Sequence, residues 1–469
     1  MPVQTDSAPG EALEQGVVPL ASSLAHRVVG LRIDEFGQPV IDKAKTCLYD
    51  LIGCALESGD KAWSRQAMAM AVRIRPDESG GATVIGCTQR TSPADAAFVN
   101  AVMGHGLVRE DMHSASISHL GVAVIPAMLA LAQHRRASGH NFIAALIAGY
   151  EVGAKIGCAV MDPARARIFR PTGITGPLGA AAAGARLMNL DAAQTANALA
   201  FAANSTAGFN QWGYTGGSEM FFHPGFAAGN AVRAVLLAEA GAFGSPSALD
   251  GEAGLFAAHG KRDAASTVRL FDGVAEIMAV YHKPVPACNF AQTACQAAIA
   301  LVRAGQCPAD RIEEISIRVP RAGAMYPGCD FLGPYDHVLQ AKMSIQYNVA
   351  AALLTGETAE ANFSLLQDPR LRRLLGVTRL EVDEEMSRVY PLQQGGAVQV
   401  RVAGGGRHEV RMANVVNATA QEVLERFRAA ASTRAGAASA ARIEALVDGL
   451  EHLGDAGRLS ASLGASQTE

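Results

Sequence analysis

The sequence predicts a mostly α-helical protein, with a large all-helical domain built from both ends of the chain and a smaller α+β domain between them. Three observations carry this. Apolar residues recur at helical spacing through the first 284 residues. Short alternating, β-branched segments are confined to the stretch after about Pro284. Near residue 418 the helical pattern returns. At 469 residues the chain is too long for one compact core. The expected division is 16–284 with 416–452 as the helical domain and 285–415 as the α+β domain, flanked by a disordered 1–15 and a frayed 453–469.

Each element has a local reason. In Ile41–Leu56, the spacing of Ala44, Cys47, Leu48, Leu51, Ile52 and Ala55 makes one buried stripe. Residues 91–103 open with Ser-Pro-Ala-Asp, a helix start signal, and continue rich in alanine. Residues 122–137 and 141–158 are expected as two helices joined by the turn SGHN. In the second, Gly149, Gly153 and Gly157 share a face without side chains; each Gly costs roughly 1 kcal/mol in a helix, so the face implies close helix–helix approach. GPLGAAAAGARLMNL and GFAAGNAVRAVLLAEAG repeat the pattern. In the smaller domain, 311–320 and 377–386 alternate as strands, and 397–414 reads as a hairpin turning at AGGG. The tail returns to helix over 418–451 and is expected to pack back on the first domain.

Composition excludes several classes. Net charge is −4 with pI near 6.3, and lysines and arginines are scattered, which gives no footprint for nucleic acid or a membrane surface. The apolar runs 122–132 and 143–149 are too short to span a bilayer, and the acidic start is not a signal peptide. Eight irregularly spaced cysteines without a CxxC suit a reduced, cytoplasmic protein. Nucleotide-binding glycine motifs, a GxSxG elbow, HExxH and an EF-hand loop are all missing from the sequence, so neither cofactor nor metal is expected. The Asp-x-His spacing near His105, Asp111 and His113 suits hydrogen bonding better than a metal.

Against that apolar background, residues 104–126 concentrate His105, Arg109, Glu110, Asp111, His113 and His119 between two helical stretches. Arg170 precedes a Pro/Gly-rich helix start, where backbone N–H groups suit an anion, and His223 precedes another. Lys283 lies between apolar residues and prolines at the domain boundary, and Tyr347 opens an apolar helix. Basic groups gathered near a domain cleft suit a small carboxylate substrate.

Together the segments NAVMGHG, SHLGVAVIPAMLALA, GYEVGAKIG, RPTGITGPLGAAAAGARLMNL, HPGFAAGNAVRAVLLAEAG, KPVPACNFAQTACQAAIAL and AKMSIQYNVAAALLTGE resemble the MmgE/PrpD family from about residue 17 to 450. That family includes 2-methylcitrate dehydratase, cis-aconitate decarboxylase and iminodisuccinate epimerase. The resemblance implies that the middle domain is a lid, that the protein is a cofactor-free homodimer, and that a small polycarboxylate binds between the domains. The family histidine, lysine and tyrosine fall on His119, Lys283 and Tyr347. The family's HxxDFxDT segment here reads HGLVREDM, so Val108 and Met112 replace an aspartate and a threonine. Arg170 and Met220 replace a histidine and a lysine.

The resulting expectation is a cofactor-independent lyase using α-proton chemistry on a di- or tricarboxylic acid, by dehydration or decarboxylation. His119 and Lys283 are expected to share proton transfer and charge stabilisation. Tyr347 would donate to substrate, and Asp111 would orient the site. Arg170, His113, Arg109 and His223 are the substrate-binding candidates. An epimerase of an amino- or imino-dicarboxylate and a non-catalytic carboxylate binder are the alternatives.

Overall fold

In the computed structural model, residues 18–74, 81–305 and 307–465 are described. The expected disordered 1–15 lies outside them, as do the last four residues of the expected frayed tail.

The fold is mostly helical with a small mixed region, as the sequence predicts. The stripe foreseen around Ile41–Leu56 belongs to helix Gln38–Ser58, and all six of its named residues are buried. Helix Pro93–His105 starts at Ser92, whose hydroxyl accepts from Asp95 N at 3.2 Å, so the start signal acts as a side-chain cap. The turn after helix Gly121–His134 comes earlier than expected, at 135–138, because Gly139 already belongs to the next helix, Gly139–Val160. A β-carbon at Gly139 would collide with the Leu450 carbonyl, so the C-terminal segment packs directly on this helix start.

Glycine economy decides the core's geometry. Helix Gly139–Val160 lies against helix Pro171–Leu187. A β-carbon at Gly153 would sit 3.5 Å from the Gly179 α-carbon, and one at Gly149 would sit 2.9 Å from the Gly179 carbonyl. Backbones this close maximise dispersion contact between the helices. By length and composition Gly139–Val160 could cross a membrane, but here it forms the centre of this packing, with 83% of its apolar window buried.

One apolar core joins both ends of the chain. Leu48, Ile52, Val124 and Leu178 share it with Phe427 and Ile443 from the C-terminal helices Ala420–Ala435 and Ala437–Asp448. The Phe427 α-carbon stands 3.2 Å from where a Gly53 β-carbon would be, which seats the returning helix on Gln38–Ser58. The expected fraying does not hold for the described part of the tail. Helix Gly457–Ser462 folds there, Leu459 and Leu463 are buried, and Gly86 N donates to the Leu463 carbonyl at 2.8 Å. Two leucines with a place in the core offset the entropy of ordering this short segment.

The middle region forms a four-stranded sheet in the order Thr378–Val382, Ile312–Val319, Gly396–Val402, Arg407–Met412. The first pair is parallel, with Ile315 opposite Thr378, and the other two are antiparallel. The hairpin turns through Gly404 and Gly405, at φ +95° and +94°, where side chains would be strained. The strand expected over 377–386 stops at Val382, because the Asp383 carboxylate accepts from Glu385 N and Met386 N and starts a short helix. A second core, centred on Ile315, Ile317, Val398 and Leu301, also takes in Val108, Met112, Ile117 and Met220 of the helical region. The two units therefore meet at the histidine-rich loop.

Candidate active site

The loop after helix Pro93–His105 reaches its position through local constraints. Val108 and Ile117 adopt φ +56° and +54°, left-handed conformations that branched residues rarely take. Met112 and His113 pair antiparallel with Tyr281 and Val280, and this short ladder brings Lys283 alongside the loop. Backbone bonds between His113 and Ser118, at 2.9 and 3.2 Å, close the loop. His119 N then donates to Thr172 Oγ1 at 3.1 Å, joining the loop to the helix start that carries Arg170.

These constraints assemble a buried network. His105 donates through Nδ1 to Glu110 Oε1, and Arg170 Nη2 donates to His105 Nε2 at 3.0 Å. A guanidinium only donates, so His105 Nε2 carries the lone pair and the ring is neutral. His119 Nδ1 lies 3.0 Å from the same Glu110 oxygen and 2.9 Å from the Asp111 carbonyl. Both are acceptors, so Nδ1 holds the proton and Nε2 is the lone-pair nitrogen. Burial pushes His119 down to about 3, with Glu110 opposing. Burial also works against the Glu110 carboxylate, yet the two imidazoles on Oε1 hold it well below the usual carboxylate range. Lys283, fully buried, donates through Nζ to the Val108 carbonyl and to the Ala287 carbonyl at 3.3 Å. Burial lowers its pKa, and Glu110 opposes that.

A small cavity lies between the two units. On the helical side it is lined by Val108, Met112, Ile117, His119, Arg170 and Met220, and on the other side by Cys288, Asn289, Phe290, Tyr326 and Met343. Arg170 Nη1 donates to the Tyr326 hydroxyl at 3.2 Å, so one cation reaches both sides. Among the described residues, Arg170 Nε and Glu110 Oε2 are buried without a hydrogen-bond partner.

The expected site residues separate into two groups. His119 and Arg170 line the cavity, and Lys283 supports its wall through Val108. His223 stands behind Arg170 at Gly208, and burial followed by the Arg170 charge pushes it down to about 3. The others are turned to structural partners. Tyr347 donates its hydroxyl to the Asn362 carbonyl at 2.8 Å and packs between Tyr335 and Phe363, away from the cavity. Asp111 accepts from Gly121 N at 3.2 Å and from the Tyr150 hydroxyl, which caps helix Gly121–His134 from inside the core. His113 bonds Ser116 at 2.8 Å and Glu276 at 3.0 Å, and Arg109 is spent on Glu57 at 2.6 Å.

Sequence reasoning missed the importance of His105, Glu110 and Tyr326. The five-residue spacing of His105 and Glu110 was a weak signal, because it spans a helix end and a left-handed turn. Their ligand atoms and that of His119 lie within 4.8 Å of one another, a set able to hold a cation. Those atoms are engaged with one another, and the Arg170 and Lys283 charges stand beside them. The arrangement therefore suits an acid–base network better than a cation.

Residues 22–267 match the MmgE/PrpD N-terminal domain and residues 285–452 match the MmgE/PrpD C-terminal domain. The cis-aconitate decarboxylase-like protein oryM of Aspergillus oryzae is 30% identical over 54% of this chain and 52% of its own length. The chain thus spans about half the length of that relative. Human cis-aconitate decarboxylase is 27% identical over 77% of this chain and 76% of its own length. The 2-methylcitrate dehydratase of Cupriavidus necator is 26% identical over 74% and 75%.

Proposed function

Since the chain belongs to the MmgE/PrpD family, which links it to carboxylic-acid-handling lyases, we propose that it is a cofactor-independent lyase that removes a proton α to a carboxylate. The observation that carries this is the neutral, oriented imidazole of His119 beside Arg170 in a small cavity. Nε2 of His119 takes the Cα proton, and the C–H electron pair moves into the carboxylate as an ene-diolate held by Arg170. A β-hydroxyl then leaves with that proton as water, giving the alkene. Decarboxylation would use the same stabilisation differently: the C–C electron pair left as carbon dioxide departs is held as a carbanion and is then protonated.

An imidazole at about 3 is a weak base. A substrate carboxylate supplies negative charge beside it, which favours imidazolium and raises its basicity on binding. Lys283 holds the Val108 carbonyl in place and adds positive potential that favours the ene-diolate. One observation favours a second reading, a non-catalytic carboxylate binder: Val108, Met112 and Met220 bring apolar side chains into the cavity beside Arg170.

Incubation with carboxylic acids in deuterated water, followed by proton NMR, tests the proposal. Deuterium at Cα, or loss of water or carbon dioxide, supports the lyase. Tight binding of an acid without exchange or turnover favours the binder. His119→Ala turning over at the wild-type rate removes His119 as the base.

A further inference from the structure

One reactive pair at the edge of the cavity takes no part in proton transfer. Cys288 and Cys329 bring their sulfur atoms to 3.3 Å, although 41 residues separate them along the chain. Among the described residues no other two cysteines make a sulfur–sulfur contact. Backbone bonds hold both to one segment: Cys288 N donates to the Lys342 carbonyl at 2.9 Å, and Ile345 N donates to the Cys329 carbonyl at 2.9 Å. Both residues are buried, but their surroundings differ. Cys288 lines the cavity, and Cys329 stands behind it. Burial opposes a Cys288 thiolate, yet the Cys329 thiol, the Phe290 N–H and then the Lys283 and Arg170 charges favour it, and together they lower its pKa. Burial and then Cys288 push the Cys329 thiol well up. An ionisable thiol facing a cavity, with a second thiol at its back, has the arrangement of an attacking and a resolving cysteine.

We propose that Cys288 and Cys329 form an oxidation site, at which a peroxide entering the cavity is recorded as a reversible disulfide. The cavity's free volume is about 20 Å³, room for a water molecule, so the oxidant that suits it is the smallest peroxide, hydrogen peroxide. The Cys288 thiolate attacks one peroxide oxygen, the O–O bond breaks, hydroxide leaves and Cys288 becomes a sulfenic acid. The Cys329 sulfur then attacks the sulfenic sulfur, the S–S bond forms and a second hydroxide leaves. The two thiol protons convert both hydroxides to water. Two thiols have then lost two electrons and two protons, and one peroxide has become two waters. The sulfurs close from 3.3 Å to about 2 Å, a shift on the scale of a side-chain torsion. Cys329 N also donates to the Tyr326 carbonyl at 3.0 Å, and the Tyr326 hydroxyl accepts from Arg170, so the link braces the wall that receives Arg170. A dithiol reductant reverses it by exchange, regaining both thiols as its own disulfide forms.

Treating the reduced full chain with hydrogen peroxide, alkylating the remaining thiols in denaturant and mapping the peptides by mass spectrometry tests this. The expected product is a peptide pair linked through Cys288 and Cys329, with the buried Cys47, Cys54 and Cys295 alkylated. Dithiothreitol should return both cysteines to the alkylated form. Cys158 is exposed and serves as the comparison for simple access. Cys288 is expected to lose its thiol at least about tenfold faster than Cys158. In Cys329→Ser the reaction should stop at the Cys288 sulfenic acid, which dimedone captures, and in Cys288→Ser Cys329 should remain a thiol at the same dose. Oxidation of Cys158 ahead of Cys288 overturns the proposal, as does a Cys288 that oxidises without linking to Cys329. Oxidation of Cys329 in Cys288→Ser at the wild-type rate overturns the order of attack. The wild-type peptide map decides even if a variant does not fold.

Discussion

His119 Nδ1 stands 3.0 Å from Glu110 Oε1 and 2.9 Å from the Asp111 carbonyl, and these two acceptors fix which imidazole nitrogen carries the lone pair. Glu110→Gln keeps the volume but removes the carboxylate charge and lets an amide N–H face the ring, which leaves Nδ1 with the Asp111 carbonyl alone. The expected result is a fall of about 10²–10⁴-fold in α-proton exchange, with substrate affinity little changed. Exchange rates beside calorimetric affinities check this; an unchanged rate removes Glu110 as the orienting group.

Acid is expected to destabilise the fold through the same ring. Unfolded, the imidazole takes a proton near 6.5; folded, burial delays this to about 3. Below pH 6.5 the unfolded state therefore binds more protons, so the stability from His119 is complete above 6.5 and is lost as pH falls toward 3. Between pH 7 and pH 5 the loss amounts to roughly 2 kcal/mol. Urea unfolding at both values should show a smaller loss in His119→Asn than in the wild type. Equal losses would exclude a neutral buried imidazole.

Lys283→Met should strand the Val108 carbonyl, leave the Ala287 carbonyl on Gln292 Nε2 at 3.2 Å, and remove a positive charge near the cavity. The expected cost is about 1–3 kcal/mol in urea unfolding. Turnover should fall by on the order of 10²-fold or more. Lys283→Arg should not restore it, because a forked guanidinium does not fit a slot shaped around one ammonium. Full activity in either variant would show that Lys283 is only a strut.

Tyr347→Phe separates packing from chemistry. The hydroxyl's partner is the Asn362 carbonyl at 2.8 Å, so its loss should cost about 0.5–1.5 kcal/mol of stability. The exchange rate should stay within about twofold of wild type, since the deleted hydroxyl lies outside the cavity. A fall of about a hundredfold in kcat at unchanged stability would return Tyr347 to the catalytic group.

Gly121→Ala tests the helix entry beneath the site. An added β-carbon would run into the Tyr150 hydroxyl and the Asp111 carboxylate. Overpacking of this kind costs about 1–3 kcal/mol, with more expected here because the groups met are hydrogen-bonded and buried. Thermal unfolding reads it; an unchanged midpoint would mean that this corner is looser than the structure shows.

Much of the fold was legible because it depends on local pattern. The stripe along Ile41–Leu56, the Ser92 cap and the Gly149–Gly153–Gly157 face are properties of residues three to eight apart. The site was legible only in part. His119, Arg170 and Lys283 stood out as polar groups in apolar or proline-rich settings. Tyr347 stood out in the same way, although its partner, Asn362, is buried and structural. Asp111 and Arg109 were misleading for a related reason: the titratable groups crowded into 104–126 point in different directions once Val108 takes φ +56°.

By itself the sequence determined the helical architecture, the inserted α+β region and the family. Periodicity, caps and turn residues act over a few positions and need no knowledge of the rest of the chain. The tertiary structure alone decided which side chains meet. Arg170 and His105 are 65 residues apart, and Lys283 reaches Val108 across 175. Contacts at that range depend on how whole helices pack and on two left-handed residues in one loop. The packing also showed that the positions where polar family residues become Val108, Met112 and Met220 all line one cavity.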